Sequence, residues 1–169
     1  MKWSNGDPYT ANDITFLVDD VLSNPELFPG GIGVDWLPKE QVDGFKVEKI
    51  DDYTVKFTLS TPLAPFLANL AMDFFAISSP TAIQASGQDY GTPSVGAVGT
   101  GPFVFKEWVE GDHITVTANE NWWGGRAKVD EVIWRVIPDA SARYLALKAG
   151  DIHAMEQATS EDLASAQAD

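Results

Sequence analysis

Apolar and polar residues follow two rhythms along this chain, one helical and one alternating, and the changes between them mark its elements. Thr10 and Asp13 stand three residues apart, the spacing of a capping box in which each side chain satisfies a freed backbone donor. Ile14, Leu17, Val18, Val21 and Leu22 then fall on one helical face, with Asp13, Asp19 and Asp20 off it, and Asn24-Pro25 ends the helix. Residues 25–41, with Pro25, Pro29, Gly30, Gly31, Gly33 and Pro38, predict a long loop that carries Phe28 and Trp36. Trp36 reads first as a hydrophobic anchor and second as a stacking surface. The rhythm then becomes alternating. Phe45 and Val47 alternate with Lys46 and Glu48, Asp51-Asp52 turns, and Tyr53, Val55, Phe57 and Leu59 alternate with Thr54, Lys56 and Thr58. This predicts an antiparallel hairpin with one apolar and one charged face.

Residues 65–72 predict a short apolar helix with Pro65 in its first turn, followed by an extended stretch from Asp73 to Pro80, a short helix from Thr81 to Ala85, and a Gly/Pro/Ser-rich connection over 86–98. Val98-Gly99-Thr100-Gly101-Pro102 reads as a sharp turn, because glycine admits backbone angles closed to other residues and proline fixes its own. The turn feeds a second hairpin, Phe103–Trp108 and His113–Ala118. Asn119 to Gly125 is a turn with adjacent Trp122 and Trp123, of which alternation lets at most one enter a core. Val132, Trp134 and Val136 predict a strand. Asp139 and Gly150 punctuate a helix in which Ala142, Leu145 and Ala146 are expected to pack. A short strand is expected over 151–155, and a final helix from Thr159 with Glu161 and Asp162 at its positive end.

Composition narrows what such a chain does. An apolar content of 44% with 11% aromatics supports a core, so global disorder is excluded. The 11 basic and 25 acidic residues leave a formal net charge of −14, a field that repels phosphate backbones and anionic membranes and argues against a nucleic-acid partner. There is no cysteine, hence no disulfide. No apolar run reaches the ~20 residues of a membrane-spanning helix, and Met1-Lys2-Trp3-Ser4-Asn5-Gly6 lacks the apolar segment of a signal peptide. The expectation is an internal or mature segment, or a cytosolic protein.

Motifs of catalysis are missing: there is no Walker loop, no dinucleotide fingerprint, no H-E-x-x-H and no G-x-S-x-G. His113 and His153 are far apart without neighbouring ligand patterns, and His113 reads as a surface residue on a strand. No catalytic residue, metal site or cofactor is expected.

One set of motifs is more specific. Lys2-Trp3-Ser4-Asn5-Gly6 through Thr10-Ala11-Asn12-Asp13-Ile14, Asp51-Asp52-Tyr53-Thr54-Val55-Lys56-Phe57, Pro62-Leu63-Ala64-Pro65-Phe66-Leu67, Gly99-Thr100-Gly101-Pro102-Phe103, Asn119 to Gly125, and Ile137-Pro138-Asp139-Ala140-Ser141-Ala142-Arg143 occur in this order. In these the chain resembles the family 5 extracellular solute-binding proteins of bacterial ABC importers, the dipeptide-, oligopeptide- and nickel-binding group. Leu67 to Phe74 looks most like the peptide-binding branch. His153 departs from the aspartate that many relatives carry in a Gly-x-Ile-Asp turn.

The resemblance implies a mixed α/β fold of the type II periplasmic-binding-protein kind, here part of lobe I plus the small extra domain. Residues 1–98 would hold mostly the small extra domain with the end of a lobe I segment, and 99–169 an incomplete return to lobe I. The second lobe would be missing. It further implies a peptide or other small solute as ligand, a membrane permease as partner, and a periplasmic or extracellular, membrane-associated location. Met72, Asp73, Phe74 and Phe75, with Thr100 beside the turn, are the cleft-lining positions it implies. Two alternatives stay open: a folded interaction fragment prone to self-association, and an oligosaccharide binder of the same family.

Overall fold

A computed structural model describes residues 1–18, 45–72, 76–160 and 162 of the chain. Helix α1 spans Ala11–Phe16 and runs on through Leu17 and Val18 in a wider turn. Its capping box is complete: Thr10 accepts from the Asn12 amide, and the Asp13 carboxylate accepts from the Thr10 amide. The rest of the expected helix, including Val21 and Leu22, lies outside the described residues, as does the 25–41 loop with Trp36.

Strands β1 (Phe45–Asp51) and β2 (Thr54–Leu59) form the expected antiparallel hairpin, with Val47 opposite Phe57 and Glu48 opposite Lys56. Glu48 and Lys56 meet at 3.3 Å on the charged face, while Val47 is buried on the other. A bulge between Lys49 and Asp51 turns Ile50 outward. The turn is Asp52-Tyr53, so Tyr53 is 84% exposed rather than part of the apolar face. A residue at the tip of a two-residue turn leaves the pleat and loses its assigned side. The Asp52 carbonyl accepts from the Ala11 amide at 2.8 Å, which docks this tip on the start of α1.

Helix α2 (Phe66–Leu70) sets Phe66 edge-on to Phe57 at 5.5 Å between ring centroids. Helix α3 (Pro80–Ser86) begins earlier than expected: Pro80 opens the first turn instead of ending an extended stretch, and Ser79 caps it by accepting from the Ala82 amide. Proline is suited to that position because its missing N–H has no helical partner there. Ile83 of α3 and Leu17 form the buried centre against which Phe16, Ile77 and Tyr90 pack.

The second sheet is antiparallel in the order β3 (Phe103–Val109), β4 (His113–Ala118), β5 (Glu131–Arg135). A bulge between Phe105 and Glu107 shifts the register, so that Phe103, Phe105 and Trp108 face Ala118, Val116 and Ile114. Simple alternation would put Trp108 opposite to the two phenylalanines. The extra residue, Lys106, restores it to their side. Continued across β4, the same face carries Val132 and Trp134 of β5. The other face holds Glu107, His113, Thr115, Glu131 and Arg135, and Lys106 reaches Glu131 at 2.7 Å. On the apolar face the 86–98 connection closes in at Gly96, whose φ of +70° and close approach to the Phe105 ring leave room for no side chain.

Helix α4 (Ala140–Ala149) has the expected punctuation: Asp139 accepts from the Ala142 amide, and Gly150 takes the left-handed conformation. Its packing differs. Leu145 is 63% exposed and Ala142 is exposed, and α4 contributes no buried residue. The strand expected over 151–155 does not form. The amides of Asp151 and Ile152 both turn back to the Ala146 carbonyl, and a strand needs a neighbour to take its backbone groups. Thr159 and Asp162 cap each other reciprocally and start the last helix as expected; 163–169 lie outside the described residues.

Candidate functional site

Of the five cleft positions, Asp73, Phe74 and Phe75 lie outside the described residues. Met72 follows the end of α2, its amide donating to the Asn69 carbonyl, and its side chain is exposed. Thr100 is half-buried in the turn before β3. That turn is held from three distant parts of the chain. The Gly99 carbonyl accepts from the Ser4 amide at 2.9 Å. The Gly101 carbonyl accepts from Asn119 Nδ2 at 3.0 Å, and the Pro102 carbonyl from the Asn119 amide at 2.9 Å. The Tyr90 hydroxyl both accepts from the Val98 amide and donates to the Val98 carbonyl. Gly99 and Gly101 do not use the left-handed region that motivated the turn reading. Hydrogen bonds to partners far along the chain set this turn instead.

Asn119 is buried at the end of β4 and also accepts from the Asn121 amide, beginning the turn that leads to the two tryptophans. Trp122 is half-buried with Gly124 beneath its ring, 2.6 Å from an added Cβ. Trp123 is 70% exposed, its ring 5.5 Å from that of Trp122. Alternation anticipated one covered and one free indole, and this is the arrangement observed.

The N-terminal turn packs behind the junction. Trp3 is 3% exposed, and its indole N–H donates to Asp13 Oδ1 at 3.2 Å. Asp13 therefore serves the cap of α1 and the buried indole at once, which its spacing from Thr10 does not reveal. Burial raises the Tyr9 hydroxyl pKa, with the Asp13 carboxylate adding to the shift. Asp7 accepts from the Thr81 hydroxyl at 2.6 Å, tying residue 7 to the start of α3. Sequence reading missed Asn119, Asp7 and the second role of Asp13. The signal available was only a polar residue beside an element's end, with nothing to name its partner.

The charged groups serve structure. His113 is held between Asp112 at 2.7 Å and Glu107 at 3.5 Å, and its pKa is raised first by the hydrogen bond to Asp112 and further by Glu107. It is a paired residue rather than a plain surface one. Arg143 Nη1 donates to the carbonyls of Ile137 and Pro138, closing the start of α4, and its Nε is buried without a partner among the described residues. Among the described residues no group of three or more His, Cys, Asp or Glu side chains is placed to hold a metal ion. No helix of the described residues is long and apolar enough to cross a membrane.

The sequence model for bacterial extracellular solute-binding proteins, family 5 Middle, matches residues 1–169. The dipeptide-binding protein of Escherichia coli K12 is 37% identical over 122 residues, covering 70% of this chain and 23% of its own length. The oligopeptide-binding protein AppA of Bacillus subtilis is 33% identical over 157 residues, covering 90% of this chain and 27% of its own. Heme-binding protein A of Haemophilus influenzae is 41% identical over 108 residues, covering 62% of this chain and 19% of its own. Among solved structures, HbpA2 of Haemophilus parasuis superposes with a TM-score of 0.78 at 34% identity, covering 96% of this chain and 33% of that one. The periplasmic binding protein DppA of Helicobacter pylori, in complex with the peptide STSA, gives 0.66 at 32% identity, covering 90% and 31%. The chain thus spans about a quarter of the curated relatives' length. Its helices and antiparallel sheets form part of a type II periplasmic-binding-protein fold.

Proposed function

Because this chain belongs to the family 5 bacterial extracellular solute-binding proteins, we propose that it forms part of the binding component of an ABC importer, with a peptide as solute. The match of all 169 residues to the family's middle region carries this reading. Relatives named for dipeptides and oligopeptides, and a peptide complex among the structural neighbours, favour peptide over sugar. Residues 1–98 hold the end of a lobe I segment and the small extra domain, and 99–169 return to lobe I. The bond from the Ser4 amide to the Gly99 carbonyl supports this division, since it joins the first residues to the point of return.

Met72, Asp73, Phe74 and Phe75, with Thr100, line the solute cleft: the Asp73 carboxylate meets a peptide ammonium and the aromatic rings supply apolar walls. Closure of two lobes then buries the solute, and the loaded protein delivers it to a membrane permease from the periplasmic or extracellular side. A relative named heme-binding protein A makes a porphyrin the second reading.

Titrating the chain with di- and oligopeptides while following tryptophan fluorescence tests the proposal. A saturable, competable shift that Asp73→Ala weakens is the expected outcome. No shift from a cooperatively folded sample overturns peptide binding by this stretch alone, and a shift with hemin only assigns the porphyrin.

A further inference from the structure

One phenol holds both backbone groups of a single residue beside the turn before β3. The Tyr90 hydroxyl accepts from the Val98 amide at 3.0 Å and donates to the Val98 carbonyl at 3.2 Å. In an antiparallel ladder a neighbouring strand supplies such a pair of bonds, because the N–H and C=O of one residue point to the same side. Here a side chain stands in for the strand. The two bonds belong to different peptide planes, 97–98 and 98–99, and a peptide unit is rigid, so both planes are held. The Ser4 amide, donating to the Gly99 carbonyl at 2.9 Å, holds the third plane, which ends at the Cα of Thr100. Asn119 holds the chain on the far side through the Gly101 and Pro102 carbonyls.

Tyr90 is anchored in turn. Its ring packs against the buried Leu17 and Ile83. The chain from Tyr90 to Val98 folds back on itself: the Gly91 amide donates to the Gly96 carbonyl and the Gly96 amide to the Thr92 carbonyl, both at 2.8 Å. The residue that leaves the core at 90 therefore meets its own loop again at 98. We propose that Tyr90 is a positioning residue for solute binding, setting from the Leu17–Ile83 core the place at which the Thr100 hydroxyl meets the solute. This rests on the reading of Thr100 as a cleft residue. A glycine on each side of Thr100 gives the turn little stiffness of its own, so its position comes from the bonds that hold it. Removing the phenol oxygen releases both Val98 groups at once and leaves the ring in the core. The loss then falls on solute affinity rather than on the fold.

Fluorescence titrations with dialanine, trialanine and the peptide STSA test this, at a temperature where melting curves show every variant folded. Tyr90→Phe is expected to bind about tenfold more weakly, the scale of one or two lost hydrogen bonds. Thr100→Val keeps the branched shape, drops the hydroxyl, and is expected to weaken binding by itself. In the Thr100→Val background Tyr90→Phe should add nothing, because a residue that acts through Thr100 loses its effect once that hydroxyl is gone. A purely structural role would lower the melting temperature and leave the affinities alone. Hydrogen exchange at the Val98 amide should quicken in Tyr90→Phe, and an unchanged rate overturns the clamp itself. Wild-type affinity in either single variant, or equal losses from Tyr90→Phe in both backgrounds, overturns the positioning role while peptide binding stands. A wild type that binds none of these peptides overturns the peptide reading, and this role with it.

Discussion

The N-terminal knot around Trp3 and the sheet edge around Trp134 use the same materials and end in opposite states. At the knot, a tryptophan is buried, its N–H reaches a carboxylate, and that carboxylate also caps a helix. At the edge, a tryptophan of the same apolar weight stays half exposed, beside an isoleucine and a valine equally open. Both regions have well-formed local structure. They differ in whether a second layer reaches them: the knot is tied to residues 81 and 99, while β5 and α4 meet no covering element among the described residues. Secondary structure is thus a local achievement here, and burial depends on distant partners.

Four substitutions or conditions test this contrast. Trp3→Ala should have the largest effect, about 3–5 kcal/mol of lost stability in urea unfolding, since a buried aromatic and the partner of Asp13 go together. A loss below about 1 kcal/mol would mean the knot is not a stability centre. Asn119→Ala removes one side chain bonded to both the Gly101 carbonyl and the Asn121 amide and should cost about 1–3 kcal/mol; thermal melts of the variant decide this.

The His113 pair gives a smaller, pH-dependent effect. Its raised folded-state pKa means that the folded protein holds the proton more tightly than the unfolded chain does. The contribution is fully present below the ordinary histidine value and is lost as pH rises through the raised one. Melting temperature should therefore fall with rising pH across that window, and His113→Asn should flatten the fall. An unchanged slope in the variant would remove His113 as its source. Last, Leu145→Ala should change stability by less than about 0.5 kcal/mol, because its side chain is 63% exposed. A core-sized loss would show that α4 is packed after all.

Much of the fold was legible because its causes lie within four residues of their effects. Thr10 with Asp13, Asp139 with Gly150, and the alternation through β1 and β2 each act on their own segment. Other features were illegible because their causes lie elsewhere. The bulge at Lys106 is a property of the β3–β4 pair, and the stretch 151–155 pairs with no strand among the described residues. The candidate site was readable only through family resemblance: nothing local sets Met72 or Thr100 apart, and the turn around Thr100 is made by Ser4, Tyr90 and Asn119.

By itself, then, the sequence determined most element ends, the apolar faces of unbroken strands, and, through six ordered motifs, the family. These depend on backbone preferences, caps and periodicity, all short-range. Only the tertiary structure decided that Asp13 anchors Trp3, that Asn119 clamps the turn before β3, and that Trp108 returns to the apolar face. Each of those depends on which distant group arrives to accept a hydrogen bond or fill a space, and chain order does not state distance.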